Sequence, residues 1–193
     1  VNLVPAIAIA LALAAGGDDH VVAGARFFRD GRYAEALVEF QVARNLGARD
    51  AAAYAAASLV KLGHFEEALE AFADAGPPGE DALLNYYRAL ACHGARLFAR
   101  ADAILAAIGD RAGPKLAEQA SRIRADLAPK LAAPPDPATL AWYRQRCDEL
   151  RRARRTALAE LFCEEAAATE RRTATSGGER AVATPVERTE ARP

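Results

Sequence analysis

The side chains able to act as nucleophiles, general bases or metal ligands are few: His20, His64 and His93, with Cys92, Cys147 and Cys163. Cys92 and His93 are adjacent and come closest to a ligand motif. Neighbours on a helix point about 100° apart, so this pair would hold a metal only with distant partners. His64 falls in an expected turn between helices. There is no glycine loop to cradle a phosphate, no nucleophile elbow and no HExxH. The expectation is therefore no enzyme, no metal and no cofactor. Three widely spaced cysteines make no disulfide framework. If Cys147 and Cys163 share one helix, they stand roughly 24 Å apart at about 1.5 Å per residue, too far to bridge.

Charge chemistry is the next candidate. Arg144, Arg146, Arg151, Arg152, Arg154 and Arg155 crowd one segment, the kind of run that can track phosphates. They spread around a helix rather than along one face, and Glu160, Glu164 and Glu165 follow closely. With a net charge of -1, the chain has no excess of positive charge for nucleic acid or anionic lipid. Solvated helix charge is the expectation, with no nucleic-acid partner.

The elements that position these groups read as helices. Hydrophobic residues make up 52% of the 193, much of it alanine, and only 7% are aromatic. Alanine is the best helix former and β-type alternation is scarce, so an all-α fold follows. Three phrases repeat: GRYAEAL at 31–37, GHFEEAL at 63–69 and the looser GARLFARA at 94–101. Phe40 and Ala43 after the first recur as Phe72 and Ala75 after the second. The period is 32 residues and then 31, counted between Gly31, Gly63 and Gly94. Each glycine is expected to close a helix in the left-handed region, with the aromatic two residues later starting the next helix. Asp18 and Asp50 are expected to cap the first helices of the first two units.

These residues resemble the tetratricopeptide repeat family. In the first unit the pattern falls on Gly24, Phe27, Tyr33, Ala36, Phe40 and Ala43; in the second, on Ala56, Leu59, Phe65, Ala68, Phe72 and Ala75. The third unit is degenerate, with Tyr87 at the small-residue position and two extra residues after Gly94 before Phe98, Ala101, Leu105 and Ile108. The early Trp and closing Pro of the family pattern are missing from the first two units. The resemblance implies an α-solenoid of three helix-turn-helix units, with a groove along the first helices that takes a peptide or partner helix. Groove residues by this resemblance are Phe28, Arg29, Tyr54, Val60, Lys61, Asn85 and Arg88, with Cys92 beside them. The three basic residues would suit an acidic or C-terminal carboxylate, or are plain solvated charge. The family's chaperone-tail clamp is not expected, because Val21 and Ala25 stand where it needs Lys and Asn.

The expected organisation is an apolar N-terminal segment (1–16), a repeat domain with a capping helix (17–131), a Pro-rich linker (132–137), one long charged helix (138–172) and a disordered tail (173–193). Leu116, Ala120, Ile123 and Leu127 stripe the capping helix, which Pro129 bends or ends. Leu140, Tyr143, Cys147, Leu150, Arg154, Ala157 and Leu161 follow the spacing of a coiled-coil seam, which would dock a partner or a second copy of the chain. Alternatively, the long helix folds back on the repeats. The run at 3–15 (LVPAIAIALALAA) has the length of a signal-peptide core but lacks a preceding basic residue. It is expected either to direct export to a periplasmic or secreted address, or to pack on the first repeat of a cytoplasmic protein. The expected role is a scaffold or adaptor, with a structural self-assembly module or a cytoplasmic regulatory module as alternatives.

Overall fold

The computed structural model describes residues 4–77, 79–109 and 112–182, with side chains described between 16 and 174. Among the described residues the chain forms helices and no strands: α1 (Val4–Arg29), α2 (Tyr33–Asn45), α3 (Ala51–Leu62), α4 (Phe65–Asp74), α5 (Ala82–Gly94), α6 (Phe98–Ile108), α7 (Pro114–Ala132), α8 (Pro137–Arg152) and α9 (Thr156–Val182). They divide into two compact bodies, residues 1–130 and 131–193.

In the N-terminal body α1 packs on α2, α3 on α4 and α5 on α6, with α3 also meeting α2 and α5. The connection inside each pair is the same turn three times. The left-handed residue is Gly31 (φ 77°), Gly63 (φ 83°) and Arg96 (φ 67°). The residue after it donates its N–H five residues back: Arg32 to Phe27, His64 to Leu59 and Leu97 to Cys92, at 2.9, 3.0 and 2.8 Å. Arg32, His64 and Leu97 also share nearly one conformation, with φ from -87° to -83° and ψ from 67° to 70°. This six-to-one bond is the Schellman closure, which satisfies carbonyls orphaned at the helix end.

That geometry corrects the register of the third unit. Gly94 lies inside α5 and does not close it; Arg96 takes the left-handed position. Counted from Arg96 there is no insertion, and Phe98, Ala101, Leu105 and Ile108 match Phe65, Ala68, Phe72 and Ala75. The small-residue position is then Ala89, fully buried, rather than Tyr87. Gly94 is small for another reason: a Cβ there would lie 2.3 Å from the Phe65 ring. Gly24 serves the same end, since its Cβ would meet the Phe40 ring at 2.7 Å.

Capping departs from expectation as well. Asp18 lies within α1, which starts further back, at Val4, and so caps nothing. Asp50 precedes α3 but is itself left-handed, and its carboxylate makes no cap bond. Asp81 caps α5, accepting from the Leu83 and Leu84 N–H groups at 2.8 and 3.0 Å. The α7 helix runs through Pro129 instead of stopping there. An Arg124–Asp102 ion pair of 2.8 Å and the Lys130 ammonium 5.0 Å from the Phe98 ring link it to α6.

The C-terminal body overturns the single long helix. The chain breaks at 153–155, where Arg154 is left-handed (φ 60°) and Arg155 N–H bonds to the Leu150 carbonyl at 3.0 Å, the same closure as in the repeats. Helices α8 and α9 are thereby folded into a hairpin. The same correction applies to the cysteines: Cys147 and Cys163 are brought together, Cα atoms 5.3 Å apart, and are disulfide-bonded. Tyr143, Cys147 and Leu150, proposed as a seam for a partner, are buried. The Trp142 ring meets Phe162 at 5.8 Å and Arg144 pairs with Glu170 across the hairpin. Helix α9 continues to Val182, past the expected start of the tail, and residues 183–193 lie outside the described residues.

Of the apolar N-terminal run, the part from Val4 onward is the start of α1. Among the described residues no helix is long and apolar enough to cross a membrane.

Candidate functional site

Two adjoining cavities open on the face made by α1, α3 and α5. The first, ≈ 180 Å³, is walled by Ala25, Phe28 and Arg29 of α1, Phe40 of α2, Tyr54 and Ala57 of α3, and Asp81, Leu83, Leu84 and Tyr87 at the start of α5. Its lining is almost wholly apolar. The second, ≈ 260 Å³, is polar. It lies between α3, α4 and α5, and its walls include Asp50, Tyr54, Phe72, Glu80, Asp81, Asn85 and Arg88. Tyr54, Asp81 and Leu84 belong to both cavities.

The apolar cavity is framed by packed rings. Phe28 meets Tyr33 at 5.2 Å and Tyr87 at 5.6 Å, both edge-on, and Phe40 meets Tyr54 at 5.4 Å. Edge-on contacts of this kind hold rings in fixed orientations. Beneath them, Ala36, Phe40 and Ala55 form the core on which Phe28 and Tyr54 rest. The Tyr54 and Tyr87 hydroxyls are held protonated to higher pH than usual, chiefly by burial. For Tyr54 the negative charges of Asp81 and Asp50 add to this.

Arg88 is the cation of the polar cavity, and it is tethered. Its Nη2 donates to the Phe72 and Gly76 carbonyls at 3.4 and 3.2 Å, and its guanidinium lies 5.0 Å above the Phe72 ring. Phe72 is in the last turn of α4 and Gly76 just beyond its end, where a positive charge offsets the helix dipole. Burial lowers the pKa of Arg88 from its ordinary value, with the Cys92 thiol opposing the shift. Asn85 is also tied locally, donating to the Gly79 carbonyl at 2.8 Å.

Of the seven residues named from sequence, Phe28 and Arg29 line the apolar cavity, Asn85 and Arg88 the polar one, and Tyr54 both. Lys61 reaches the same aromatic cluster, its ammonium 5.5 Å from the Tyr33 ring and 5.9 Å from Tyr87. Val60 departs from the expectation: it is 7% exposed and lines neither cavity. Cys92, named beside the groove, is also fully buried. Leu83, Leu84, Tyr87 and Asp81 were missed. The corrected register would have found Tyr87, which stands 33 positions after Tyr54 and matches it as Arg96 matches Gly63.

Elsewhere, His93 is half-buried against Phe98, and burial lowers its pKa, with Lys130 adding to the shift and Asp126 opposing it. His20 pairs with Glu39 at 2.6 Å, joining α1 to α2. Among the described residues no three His, Cys, Asp or Glu side chains converge as a metal site requires. Scanning the chain against protein-family models, curated proteins and solved structures finds no match.

Proposed function

We propose that this protein is a tetratricopeptide-like interaction module, a scaffold or adaptor that takes a peptide or partner helix on the α1, α3 and α5 face. The observation that carries the reading is the open apolar cavity between Phe28, Tyr54, Leu84 and Tyr87. A binding site is typically concave and mostly apolar, with a few fixed polar groups at its edge. Leu83, 51% exposed, sets a large apolar side chain at the cavity rim. The three identical interhelix turns and the small residues Gly24, Ala56 and Ala89 support the repeat reading.

The proposed address is the bacterial envelope or outside the cell. The apolar run at 3–15 supports it, and so does the Cys147–Cys163 bond, since structural disulfides persist in oxidising compartments. Cleavage near Gly16 would leave residues 17–29, about the length of α3, to serve as the first helix. The alternative of assembly through the C-terminal helix would need positions other than Tyr143, Cys147 and Leu150, which are buried.

Photo-crosslinking in fractionated host cells tests both parts. A benzophenone side chain replaces Leu83 on the rim or Val38, which is 56% exposed on α2. A protein adduct specific to position 83 is expected, in the envelope or secreted fraction. Adducts at 38 but not 83 would overturn the binding face; an adduct at 83 confined to cytosol would overturn only the address.

A further inference from the structure

The charges around the two cavities differ in sign from one to the other. Asp50 and Glu80 line the polar cavity and not the apolar one, and Asp81 lines both. Asp50 makes no cap bond with its side chain, and no cation pairs with Asp50 or Glu80 among the described residues. The cation in that wall, Arg88, has its Nη2 committed to the Phe72 and Gly76 carbonyls. Asp50 and Asp81 both contribute to the field on the Tyr54 hydroxyl between the cavities. The polar cavity therefore presents three carboxylates against one tethered guanidinium. A carboxylate entering it would meet like charges, whereas an ammonium or guanidinium would find acceptors.

The apolar cavity shares Asp81 but has two basic groups about it as well. Arg29 stands in its wall, exposed, with no acidic partner among the described residues, and Lys61 lies over Tyr33 and Tyr87 at the same cluster. Neither basic residue lines the polar cavity. A chain laid across both cavities thus passes from basic surroundings, over an apolar pocket, to acidic ones. Charge complementarity of this kind selects among partners more than it adds affinity.

We propose that the occupant is a linear peptide carrying one bulky apolar side chain flanked by a basic residue on one side and an acidic residue on the other. The apolar side chain fills the pocket between Phe28, Leu84 and Tyr87. The Lys or Arg enters the polar cavity beside Asp50, Glu80 and Asp81, and the acidic group lies by Arg29 and Lys61. This inference rests on the proposed binding face and adds the charge order of what it binds.

Selection from a random nine-residue peptide library displayed on phage tests it, using the full-length disulfide-bonded protein as bait and the Leu83→Asp variant as the parallel control. Leu83 is exposed, so this variant keeps its fold while its cavity rim becomes charged. The expected result is enrichment, absent with Leu83→Asp, of peptides with an apolar residue between opposite charges. Their excess over peptides of single-sign charge should be roughly fivefold, the size one partly exposed ion pair supports. The Asp50→Asn/Glu80→Gln double variant should lose the preference for the basic residue and keep that for the apolar one. Enrichment that depends on Leu83 but shows no charge order would overturn this inference and leave the binding face standing. No enrichment that depends on Leu83 would overturn both.

Discussion

Arg96 and Arg154 occupy left-handed positions that a Cβ makes costly, by about 1–2 kcal/mol relative to glycine, yet each closes a helix with the same bond that Gly31 and Gly63 make. Glycine at position 154 should raise stability, by about 0.5–1 kcal/mol once its extra freedom in the unfolded chain is counted, as measured by urea denaturation. The converse holds at Gly94. Alanine would gain about 1 kcal/mol of helix propensity there, but its Cβ would lie 2.3–2.5 Å from three atoms of the Phe65 ring. Overpacking of that kind typically costs 1–3 kcal/mol, so Gly94→Ala should lower the denaturation midpoint despite the better helix former. These two arginines also mark where the sequence was hard to read. Glycine is the visible signal of a left-handed cap, and where arginine takes the position only the geometry reveals it. Reading Gly94 as the third closing residue shifted the unit by two positions and hid Tyr87 and Ala89. The Phe28, Arg29 and Tyr54 side of the site, governed by true glycine caps, was legible.

At the scale of elements, the same concealed cap turned a hairpin into an apparent single helix. The stretch from Leu150 to Leu158 has no Gly or Pro, and apolar spacing continues across it, so nothing in the sequence signals the break. The stripe was correctly seen only as far as Leu150: Arg154 and Ala157 are exposed, and α9 buries Leu158 and Phe162 instead. The stripe's Tyr143, Cys147 and Leu150 are buried, and the hairpin closes on α9. The disulfide is a consequence of that folding: with α9 turned back, residues 16 apart in sequence come within 5.3 Å at Cα. Closing a loop of this size restricts the unfolded chain by about 3 kcal/mol in the chain-entropy picture. Cys147→Ser/Cys163→Ser should therefore destabilise the body formed by residues 131–193. Hydrogen exchange would show faster opening of α8 and α9, with α1 to α6 changed little. Equal protection of α8 and α9 with and without the bond would contradict this. Cys92, fully buried in the other body, takes no part in the pairing.

For the molecule as a whole, recognition is proposed for the N-terminal body, whose three helical pairs present one face bearing an apolar and a polar cavity side by side. All-α architecture was legible because alanine-rich, strand-poor composition leaves few alternatives. The cavities were less so. Their walls include Leu84, which follows the Asp81 cap, and no repeat pattern specifies that cap. Calorimetric titration of the full-length protein with a selected peptide, alongside Leu83→Asp, tests the central claim most directly. Burying one large apolar side chain contributes about 1.5–3 kcal/mol, so the variant should bind at least about tenfold more weakly at an unchanged melting temperature. Equal affinity of the two proteins would place the binding surface elsewhere and contradict the account.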